Sequence, residues 1–345
     1  MSQHLIFGAG LIGGFMAGSF ASKGIKVSVV GRESMRQRFS KDFTVTDYHG
    51  HKAVVAGIDF ISSGISSGGL SNGEASRQKA QREFDYIWLT VKCTSLDQAL
   101  IDLVPFVSAH TVILSCQNGL GSDSLVRDVF PKNTVRRVIM ASNVAQQSEV
   151  HLHRGSQGDL FVEAHQCKDG RNLADTVSTD LLVAKHIEDI TAYSWAKLQL
   201  NLANAVNALA DIPVKQMLEQ RGFRKIIAKA MQELIDVSRA KGLALPKIAA
   251  IPMHLIPKVL DTPDWLFKLL GSKMMDIDPT VRTSMWWDLS AKRLTEVDVL
   301  NGAVVSEGKS LDIACPINQR IVDYIHKAEI AETRKVFSHA DFLAE

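Results

Sequence analysis

The stretch LIFGAGLIG, Leu5 to Gly13, decides the fold expected of this chain. An apolar run leads directly into glycines at the first, third and sixth positions of a turn, and a helical pattern follows as far as Lys23-Gly24. In such a strand–turn–helix, Gly8 permits the tight turn, Gly10 lets a pyrophosphate approach bare backbone, and Gly13 lets the helix pack closely on the sheet. N–H groups at the helix N-terminus favour the same pyrophosphate. The stretch therefore predicts a dinucleotide site, and the alternative is a strand-to-helix turn that is merely tight.

Composition indicates a globular chain of two domains. Its 345 residues are 46% hydrophobic, and 39 basic against 37 acidic side chains leave a formal net charge of +2, which gives no sign of a nucleic-acid or membrane partner. The four cysteines are widely spaced and form no CxxC pair, which argues against a zinc site and against disulfides. The N-terminal apolar run contains the glycine turn, so we do not interpret it as a signal peptide. We expect a cytoplasmic protein that holds no metal and acts on a small molecule.

The residues after a second predicted strand, at 25–30, bear on the choice of cofactor. NAD-selective sites carry an acidic residue about 20 positions after the glycines, where it binds the ribose 2′-hydroxyl. Here Arg32 occupies that region, with Ser34, Arg36 and Arg38 close behind. Because guanidinium groups suit a 2′-phosphate better than a hydroxyl, the segment favours NADP over NAD. The alternative is a solvated basic loop.

Strand and helix patterns alternate through the first half of the chain, as in a doubly wound parallel sheet. Strands are predicted at 84–91, 111–116 and 138–144, with a helix at 96–103. Ligands of such sheets bind where the strands end, and Lys92 and Gln117-Asn118-Gly119 follow two of these ends. Residues 62–82 are rich in Ser, Gly and polar side chains, which predicts an exposed insertion. Two short strands, 150–153 and 160–162, are predicted to be bridged by the glycine turn at 155–158.

Helical patterns dominate from residue 189 onward. Helices are predicted at 195–209, 214–241, 281–291, 296–307 and 317–330, while the prolines of 243–279 predict short helices and turns there. We therefore expect an α/β fold, with an N-terminal Rossmann-type doubly wound parallel sheet in an NADP-binding domain, residues 1–188. A mostly α-helical substrate domain, residues 189–345, follows it. Sequence leaves the oligomeric state open, and a homodimer is one outcome.

A polar stripe in the second domain offers a proton donor. Lys197, Asn201 and Asn204 fall at i, i+4 and i+7 of one predicted helix, so they share a face. Reduction of a ketone needs a proton donor beside the carbonyl oxygen, and a lysine can serve. The stripe is therefore a candidate pocket wall, although exposed polar stripes are also ordinary in amphipathic helices.

A second polar group comprises Ser284, Asp288, Glu296 and Asp298. The spacing of Thr295-Glu296-Val297-Asp298 before an apolar run is that of a capping box, which predicts Asp298 as a cap rather than a catalyst. Glu296 would then lie in the first helical turn, where its ionised form is favoured. Such a carboxylate suits acceptance of a substrate hydroxyl better than donation of a proton.

Two further pairs of side chains have ordinary interpretations. His151 and His153 alternate on one face of a predicted strand. They could be a metal pair, but no third ligand is placed beside them, so surface histidines are the default. Trp286 and Trp287 are predicted to pack in the core or between the domains.

In the order and spacing of several short motifs the chain resembles the ketopantoate reductases (2-dehydropantoate 2-reductases). The motifs, spread over nearly the whole length, are Gly8-x-Gly10-x-x-Gly13 with Arg32, Thr90-Val91-Lys92, Gln117-Asn118-Gly119, Trp195-Ala196-Lys197-Leu198 with Asn201, Ser284-Met285 with Asp288, Thr295-Glu296-Val297-Asp298, Leu300-Asn301-Gly302 and Pro316-Ile317-Asn318. Each is weak alone. The resemblance implies NADPH-dependent reduction of ketopantoate to pantoate, on the route to pantothenate and coenzyme A.

The resemblance also implies roles for single residues. Lys197 matches the general acid toward the ketone oxygen, Glu296 matches the carboxylate that holds the substrate hydroxyl, and Arg32 matches the ligand of the 2′-phosphate. These implied roles make Lys197 and Glu296 the catalytic candidates. The implied substrate-binding set is Asn118, Asn201, Asn204 and Ser284. The implied cofactor-binding set is Gly8, Ala9, Gly10, Leu11, Ile12, Gly13, Arg32, Lys92, Asn118 and Glu296. The active site is expected in the cleft between the two domains.

Several departures from the family pattern bear on the pocket. Ala205 stands where family members often have a second Asn, and the neighbouring amides are Asn204 and Asn207, of which Asn204 is expected to replace it. Leu294 replaces a usual Pro, the strand at 160–163 lacks a glycine, and the segments 62–82 and 243–279 exceed the compact family form. A different 2-keto acid or an imine, as in opine-type dehydrogenases, is therefore an alternative substrate. A non-catalytic protein that senses NADPH is a third hypothesis, because fold alone does not establish function.

Overall fold

The computed structural model describes residues 2–62, 82–275 and 279–343. The insertion predicted at 62–82 lies outside the described residues except for Ser62 and Arg82 at its ends. Backbone contacts divide the chain into two units. The first combines the chain up to Gln117 with Gly121–Ile190, and the second combines Asn118–Leu120 with the chain from Thr191 onward. The sequence predicts a boundary after residue 188 and keeps the segment 118–120 in the first domain.

A twisted, mostly parallel sheet organises the first unit. The strands described in this unit are β1 (Gln3–Phe7), β2 (Lys26–Gly31), β3 (Phe43–Asp47), β4 (Lys52–Val55), β5 (Asp59–Ser62), β6 (Tyr86–Leu89), β7 (Val112–Ser115), β8 (Val135–Met140), β9 (Val144–Ser148), β10 (His151–Arg154), β11 (Leu160–Glu163) and β12 (Ala184–Ile187). Of these described strands, eight form one sheet in the order β12-β11-β8-β7-β6-β1-β2-β5. Neighbours run parallel except for β8 and β11. This arrangement confirms the predicted Rossmann-type fold.

Both faces of this sheet are buried, because successive residues of a strand point to opposite sides. Ile6 and Trp88 contribute to a core on one face, and Leu5 and Ile87, their chain neighbours, contribute to a core on the other. All four side chains are buried. The apolar character of these strands at nearly every position is therefore a consequence of packing on both sides.

A second sheet, β4-β3-β10-β9, was not predicted from the sequence. It packs against helix α1 (Leu11–Ser22), which also contacts β1 and β2 of the large sheet. The approach is close: a Cβ at Gly14 would lie 2.9 Å from Cδ1 of Leu152, and one at Gly18 would lie 2.6 Å from Cγ1 of Val45. Helix α1 is buried from two sides, which explains its lack of a polar face.

The predicted glycine turn at 155–158 does not join a pair of neighbouring strands. Strand β10 pairs with β3 and β9, whereas β11 pairs with β8 and β12. The turn therefore carries the chain from the smaller sheet to the larger one.

Helices follow in both units. In the first unit the described helices after α1 are α2 (Arg36–Ser40), α3 (Leu96–Leu103), α4 (Ser122–Val129) and α5 (Leu173–Val177). From the start of the second unit onward they are α6 (Ile190–Asn201), α7 (Ala203–Ala210), α8 (Val214–Glu219), α9 (Arg221–Ala240), α10 (Ile256–Leu260), α11 (Asp264–Leu270), α12 (Ser272–Met275), α13 (Ser284–Ser290), α14 (Asn301–Lys309), α15 (Pro316–Ile330) and α16 (His339–Leu343). The short helices α10 to α12 confirm the prediction of short helices and turns for the described residues of 243–279.

Two predicted helices are each divided in two. The N–H of Leu202 is shared between the carbonyls of Leu198 (3.1 Å) and Gln199 (3.4 Å), which separates α6 from α7, but Leu202 keeps right-handed helical dihedrals. Gln220 is extended, with φ −96° and ψ 111°, and separates α8 from α9. The buried Arg224 donates hydrogen bonds to the carbonyls of Leu218 and Glu219, which satisfies the end of α8.

The predicted helix at 296–307 begins later than expected. Residues 297–300 form turns, Leu300 has non-helical dihedrals (φ −105°, ψ −97°), and α14 starts at Asn301. The second unit has its own apolar core, built mainly from α6, α7, α9, α14 and α15. No helix in the described part of the chain combines the length and apolarity that a membrane crossing requires.

Candidate active site

The glycine turn between β1 and α1 has the geometry that leaves backbone accessible. Gly8 has φ +124° and donates its N–H to the carbonyl of Val30 at 3.0 Å. A Cβ at Gly13 would lie 2.1 Å from the carbonyl oxygen of Gly8, so this position needs glycine for close packing. A Cβ at Gly10 would meet no atom within 4 Å. Packing within the protein therefore does not account for Gly10, whereas an approaching phosphate would.

Thr90 supports this turn from the adjacent strand, and sequence reasoning gave it no role. Its Oγ1 lies 2.9 Å from the carbonyl oxygen of Gly8 and 3.2 Å from that of Phe7. The same Oγ1 would lie 2.4 Å from a Cβ at Gly13. Thr90 thus fixes the turn in place. The sequence feature that could have indicated this role is a hydroxyl side chain directly after a buried strand.

The basic segment after β2 divides into three environments. Arg32 is exposed and lies one residue past the strand. Arg36 forms an ion pair with Glu33. Arg38 is buried, where its Nε donates to the carbonyl of Glu149 (3.0 Å). The interpretation of all three arginines as candidates for a phosphate is therefore wrong for Arg38, which is structural.

The carboxyl ends of β6 and β7 are held by Gln117, a second residue without a predicted role. Its Nε2 donates to the carbonyls of Leu89 (2.8 Å) and Val91 (3.2 Å), and its Oε1 accepts from Oγ of Ser115 (2.6 Å). Lys92 comes directly after Val91 and is exposed at the start of a 3₁₀ turn, Cys93–Ser95. Gln117 therefore fixes the strand end from which Lys92 projects.

In the second unit, the structure brings Asn118 and Glu296 together. Nδ2 of Asn118 lies 3.5 Å from Oε2 of Glu296, and Glu296 is 8% exposed. The segment 118–120 docks on the loop before α14, because Leu120 donates its N–H to the carbonyl of Val299 (3.3 Å). Gly119, at φ +77°, allows this approach: its Cβ would lie 2.0 Å from the same carbonyl oxygen.

The loop that carries Glu296 is held by α15 and contains no capping box. The N–H of Thr295 donates to Oε1 of Glu329 (2.7 Å), and Oδ1 of Asp298 lies 2.9 Å from Nε2 of His326. Oγ1 of Thr295 accepts from the N–H of Val297, two residues on. The predictions that Asp298 caps a helix and that Glu296 lies in its first turn are therefore wrong, because the helix starts five residues after Glu296.

Lys197 lies in α6 on a half-buried part of the helix. Desolvation by burial lowers the pKa of its ammonium from 10.5 to about 8. Asn201, one turn on, is buried at 9% exposure, and Asn204 in α7 is half-buried. The polar stripe thus lies in a largely buried stretch, and it continues across the break at Leu202.

Thr283, the residue before Ser284, contacts the helix that carries Asn204. Oγ1 of Thr283 donates to the carbonyl of Asn204 (3.1 Å), and its N–H donates to Oδ1 of Asn207 (3.1 Å). Asn207, fully buried, also donates Nδ2 to the carbonyl of Ile212 (2.7 Å). Ser284, exposed, begins α13. Thr283 had no predicted role and Asn207 was noted only as an amide near Ala205, and together they join α13 to α7.

The remaining polar and aromatic candidates are structural or exposed. Asp288 is buried and accepts from Nε of Arg293 (3.1 Å). Trp286 is partly buried, with the guanidinium of Arg282 4.2 Å from its ring. Trp287 is 59% exposed, so the prediction that it packs internally is wrong.

His151 and His153 both contact one threonine hydroxyl. Nε2 of His151 and Nδ1 of His153 each lie 2.8 Å from Oγ1 of Thr46. Burial and the neighbouring His153 lower the pKa of His151. Across the described residues, no group of three or more His, Cys, Asp or Glu is placed to hold a metal ion.

A glycine turn between the first strand and first helix of a doubly wound parallel sheet is typical of dinucleotide-binding domains. Family models give the specific assignment. The model described as "Ketopantoate reductase PanE/ApbA" matches residues 4–166, and "Ketopantoate reductase PanE/ApbA C terminal" matches residues 189–329. The chain therefore belongs to the ketopantoate reductase family, which confirms the resemblance found in its motifs.

Individual relatives are distant but cover most of the chain. The 2-dehydropantoate 2-reductase of Streptococcus pyogenes serotype M3 is 24% identical over 255 residues, 73% of this chain and 78% of the relative. A PanE/ApbA family ketopantoate reductase from Ralstonia eutropha JMP134 superposes with TM-score 0.74 at 22% identity, covering 95% of this chain and 98% of the other. D-Mandelate dehydrogenase, solved with NADH and anilino(oxo)acetate, superposes with TM-score 0.71 at 18% identity and the same coverages. These two structures support the fold.

The family assignment fixes the general chemistry. Reduction of ketopantoate is the function for which the family is named, and NADH is bound in the solved structure of the distantly similar D-mandelate dehydrogenase. The chain is thus an oxidoreductase by family, and the matched reductases are named for 2-dehydropantoate, a small keto acid.

Proposed function

We propose that this chain reduces a 2-keto acid with NADPH, and that the acid is ketopantoate, which yields pantoate for the biosynthesis of pantothenate and coenzyme A. The observation that carries the proposal is Lys197, a half-buried lysine with a pKa near 8, in a chain of the ketopantoate reductase family. A lysine in that state suits the single proton transfer that ketone reduction requires.

Lys197 acts as the general acid in this proposal. Its ammonium is mostly protonated at neutral pH, and it releases a proton more readily than an exposed lysine because burial disfavours its charged form. The same positive charge attracts the carboxylate of a 2-keto acid and polarises the ketone. As negative charge develops on the ketone oxygen, Lys197 donates its proton to that oxygen.

Neighbouring side chains orient the substrate. Glu296, as a carboxylate, accepts a hydrogen bond from a substrate hydroxyl, and the Asn118 amide near it restricts the direction of that carboxylate. Asn201, Asn204 and Ser284 supply further polar contacts along the stripe and the start of α13. These roles, and the meeting of this set with the residues of the first unit in one active site, stay predictions.

The glycine turn fits a dinucleotide because the open side of Gly10 leaves backbone bare at the N-terminus of α1. When bound, the reduced nicotinamide supplies the hydride. The pyrophosphate would be held by the turn residues Gly8, Ala9, Gly10, Leu11, Ile12 and Gly13. Lys92 would lie near the nicotinamide ribose, and Arg32 would bind a 2′-phosphate. The exposed guanidinium of Arg32 supports NADPH over NADH.

A substrate screen tests the proposal. Oxidation of NADPH and of NADH is followed at fixed enzyme concentration with ketopantoate, with other 2-keto acids, and with keto acid plus amine mixtures. We expect the highest kcat/KM with ketopantoate and NADPH. A higher kcat/KM with another keto acid, or with an amine present, would show that ketopantoate is not the preferred substrate. Cofactor binding without turnover on any carbonyl would favour a sensing role.

Three further expectations belong to the same proposal. The nucleotide domain is assigned to residues 1–188 and the substrate domain to 189–345. The chain acts in the cytoplasm, where its keto acid substrate and NADPH would be found. A homodimer is the assembly to test first, by light scattering at several concentrations.

A further inference from the structure

A salt bridge follows β2 at the place where dinucleotide-binding folds bind the adenosine ribose. Nη2 of Arg36 lies 3.1 Å from Oε2 of Glu33, and Nε of Arg36 contacts the other carboxylate oxygen. The guanidinium carbon of Arg36 also lies 5.1 Å from the ring centre of Phe60, on the neighbouring strand β5. Arg36 is therefore held on two sides, by a carboxylate and by an aromatic face.

Glu33 carries a negative charge at neutral pH. Hydrogen bonds from the side chains of Arg36 and Ser62 lower the pKa of its carboxyl group. The side chain is 63% exposed, so the charge is accessible to a bound ligand. An acidic residue thus lies directly after Arg32, in a segment whose arginines otherwise favour a phosphate.

Few of the basic groups of this segment remain for a 2′-phosphate. Arg38 is 6% exposed and donates Nη2 to Oε1 of Gln146 (2.7 Å), so it is committed to the protein interior. Arg36 is bound by Glu33. Arg32 is exposed and lies one residue past β2. It is therefore the main cation of this segment for binding a phosphate.

Resting on the proposed dinucleotide site, we propose that Glu33 determines the cofactor selectivity of this chain. Its carboxylate pairs with Arg36, so that this guanidinium is less available to the 2′-phosphate of NADPH. The preference for NADPH over NADH therefore stays small. A 2′-phosphate carries nearly two negative charges at pH 7, so it is repelled by the carboxylate and attracted by the guanidinium that the carboxylate occupies. NADH lacks this phosphate, so neither this repulsion nor the occupation of Arg36 applies to it.

Titration calorimetry with two probes isolates the 2′-phosphate. Adenosine 2′,5′-bisphosphate and 5′-AMP differ only in that group, and their ratio of dissociation constants reports selectivity without turnover. We expect Glu33→Gln to raise the preference for the bisphosphate by about threefold or more, with little change in the affinity for 5′-AMP. In the double variant Glu33→Gln/Arg36→Ala most of that gain should disappear, because the freed guanidinium is then absent.

Asp169→Asn is the matched control. It removes the same charge from another exposed ion pair of the first unit, Asp169 with Arg171, and should leave the ratio unchanged. An unchanged or lower ratio in Glu33→Gln, a gain that persists in full in the double variant, or an equal gain in Asp169→Asn would each overturn the role of Glu33. If the wild type binds neither probe, the proposed dinucleotide site itself fails, and this inference fails with it.

Discussion

Asn118 and Glu296 lie 178 positions apart in the sequence, yet Nδ2 of one is 3.5 Å from Oε2 of the other. The contact depends on backbone docking rather than on the two side chains alone. Leu120 donates its N–H to the carbonyl of Val299, and Gly119 lets the two backbones approach where a Cβ would lie 2.0 Å from the carbonyl oxygen. Gly119 is therefore a positioning residue for both members of the pair.

Replacement of Gly119 by Ala should move Asn118 away from Glu296. We expect KM for ketopantoate to rise by about tenfold or more, and the free energy of unfolding to fall by about 2–5 kcal/mol, from left-handed backbone strain and the clash with Val299. Gly121→Ala is the matched control, because Gly121 has φ +88° but a Cβ there would meet nothing within 4 Å. It should lose only about 1–2 kcal/mol of stability and keep its KM. Equal KM values for the two variants would contradict the positioning role.

Loss of the Lys197 ammonium should affect the chemical step. In Lys197→Ala we expect kcat to fall by about a hundredfold or more, the lower end for loss of a general acid, while the dissociation constant of NADPH stays within about twofold. Steady-state kinetics and NADPH fluorescence titration measure the two effects. Lys229→Ala removes an exposed lysine from α9 of the same unit and should keep wild-type kcat. Wild-type turnover in Lys197→Ala would defeat the assignment.

The pH profile should report the same lysine. With a pKa near 8, Lys197 is protonated below that pH and able to donate, so kcat/KM for reduction should be level near neutrality. It should fall as pH rises through about 8, because the neutral amine has no proton to give. In Lys197→Ala the residual rate should lack this decline. A wild-type profile that stays level to pH 9.5 would show that the lysine is not the proton donor.

Two glycines of the turn should separate stability from cofactor binding. Gly10→Ala places its methyl group in open space at φ −72°, so the free energy of unfolding should change by less than about 1 kcal/mol, while NADPH binding weakens by about tenfold or more because the phosphate loses its approach to backbone. Gly13→Ala should instead lower the free energy of unfolding by about 1–3 kcal/mol or more, since its Cβ would lie 2.1 Å from the carbonyl oxygen of Gly8. Thermal denaturation and fluorescence titration check both. Unchanged NADPH affinity in Gly10→Ala would exclude this turn as the cofactor site.

Local patterns were sufficient for the central strands of the large sheet in the first unit. Apolar runs at 84–91 and 111–116 predict strands that the structure places at β6 and β7, and the glycine turn after β1 fixes where α1 begins. The predicted helix 96–103 coincides with α3. These features depend on neighbours within a few residues, so sequence carries them directly.

The smaller sheet was missed because its strands pair across distance. Strand β3 is joined by β10, more than a hundred positions later, and Thr46 gains hydrogen bonds from His151 and His153 only through that pairing. The start of α14 was misplaced for a similar reason. Thr295 and Asp298 find partners on α15, at Glu329 and His326, instead of capping the nearby helix.

By itself the sequence determined the glycine turn, the alternation of strand and helix, the family, and the residue types offered for catalysis, because each is set by local spacing. Only the tertiary structure decided that Asn118 lies beside Glu296, that Arg38 is buried against Gln146, and that burial lowers the pKa of Lys197. These outcomes depend on which distant groups share one low-dielectric or sterically crowded place, and a linear pattern does not encode that distance.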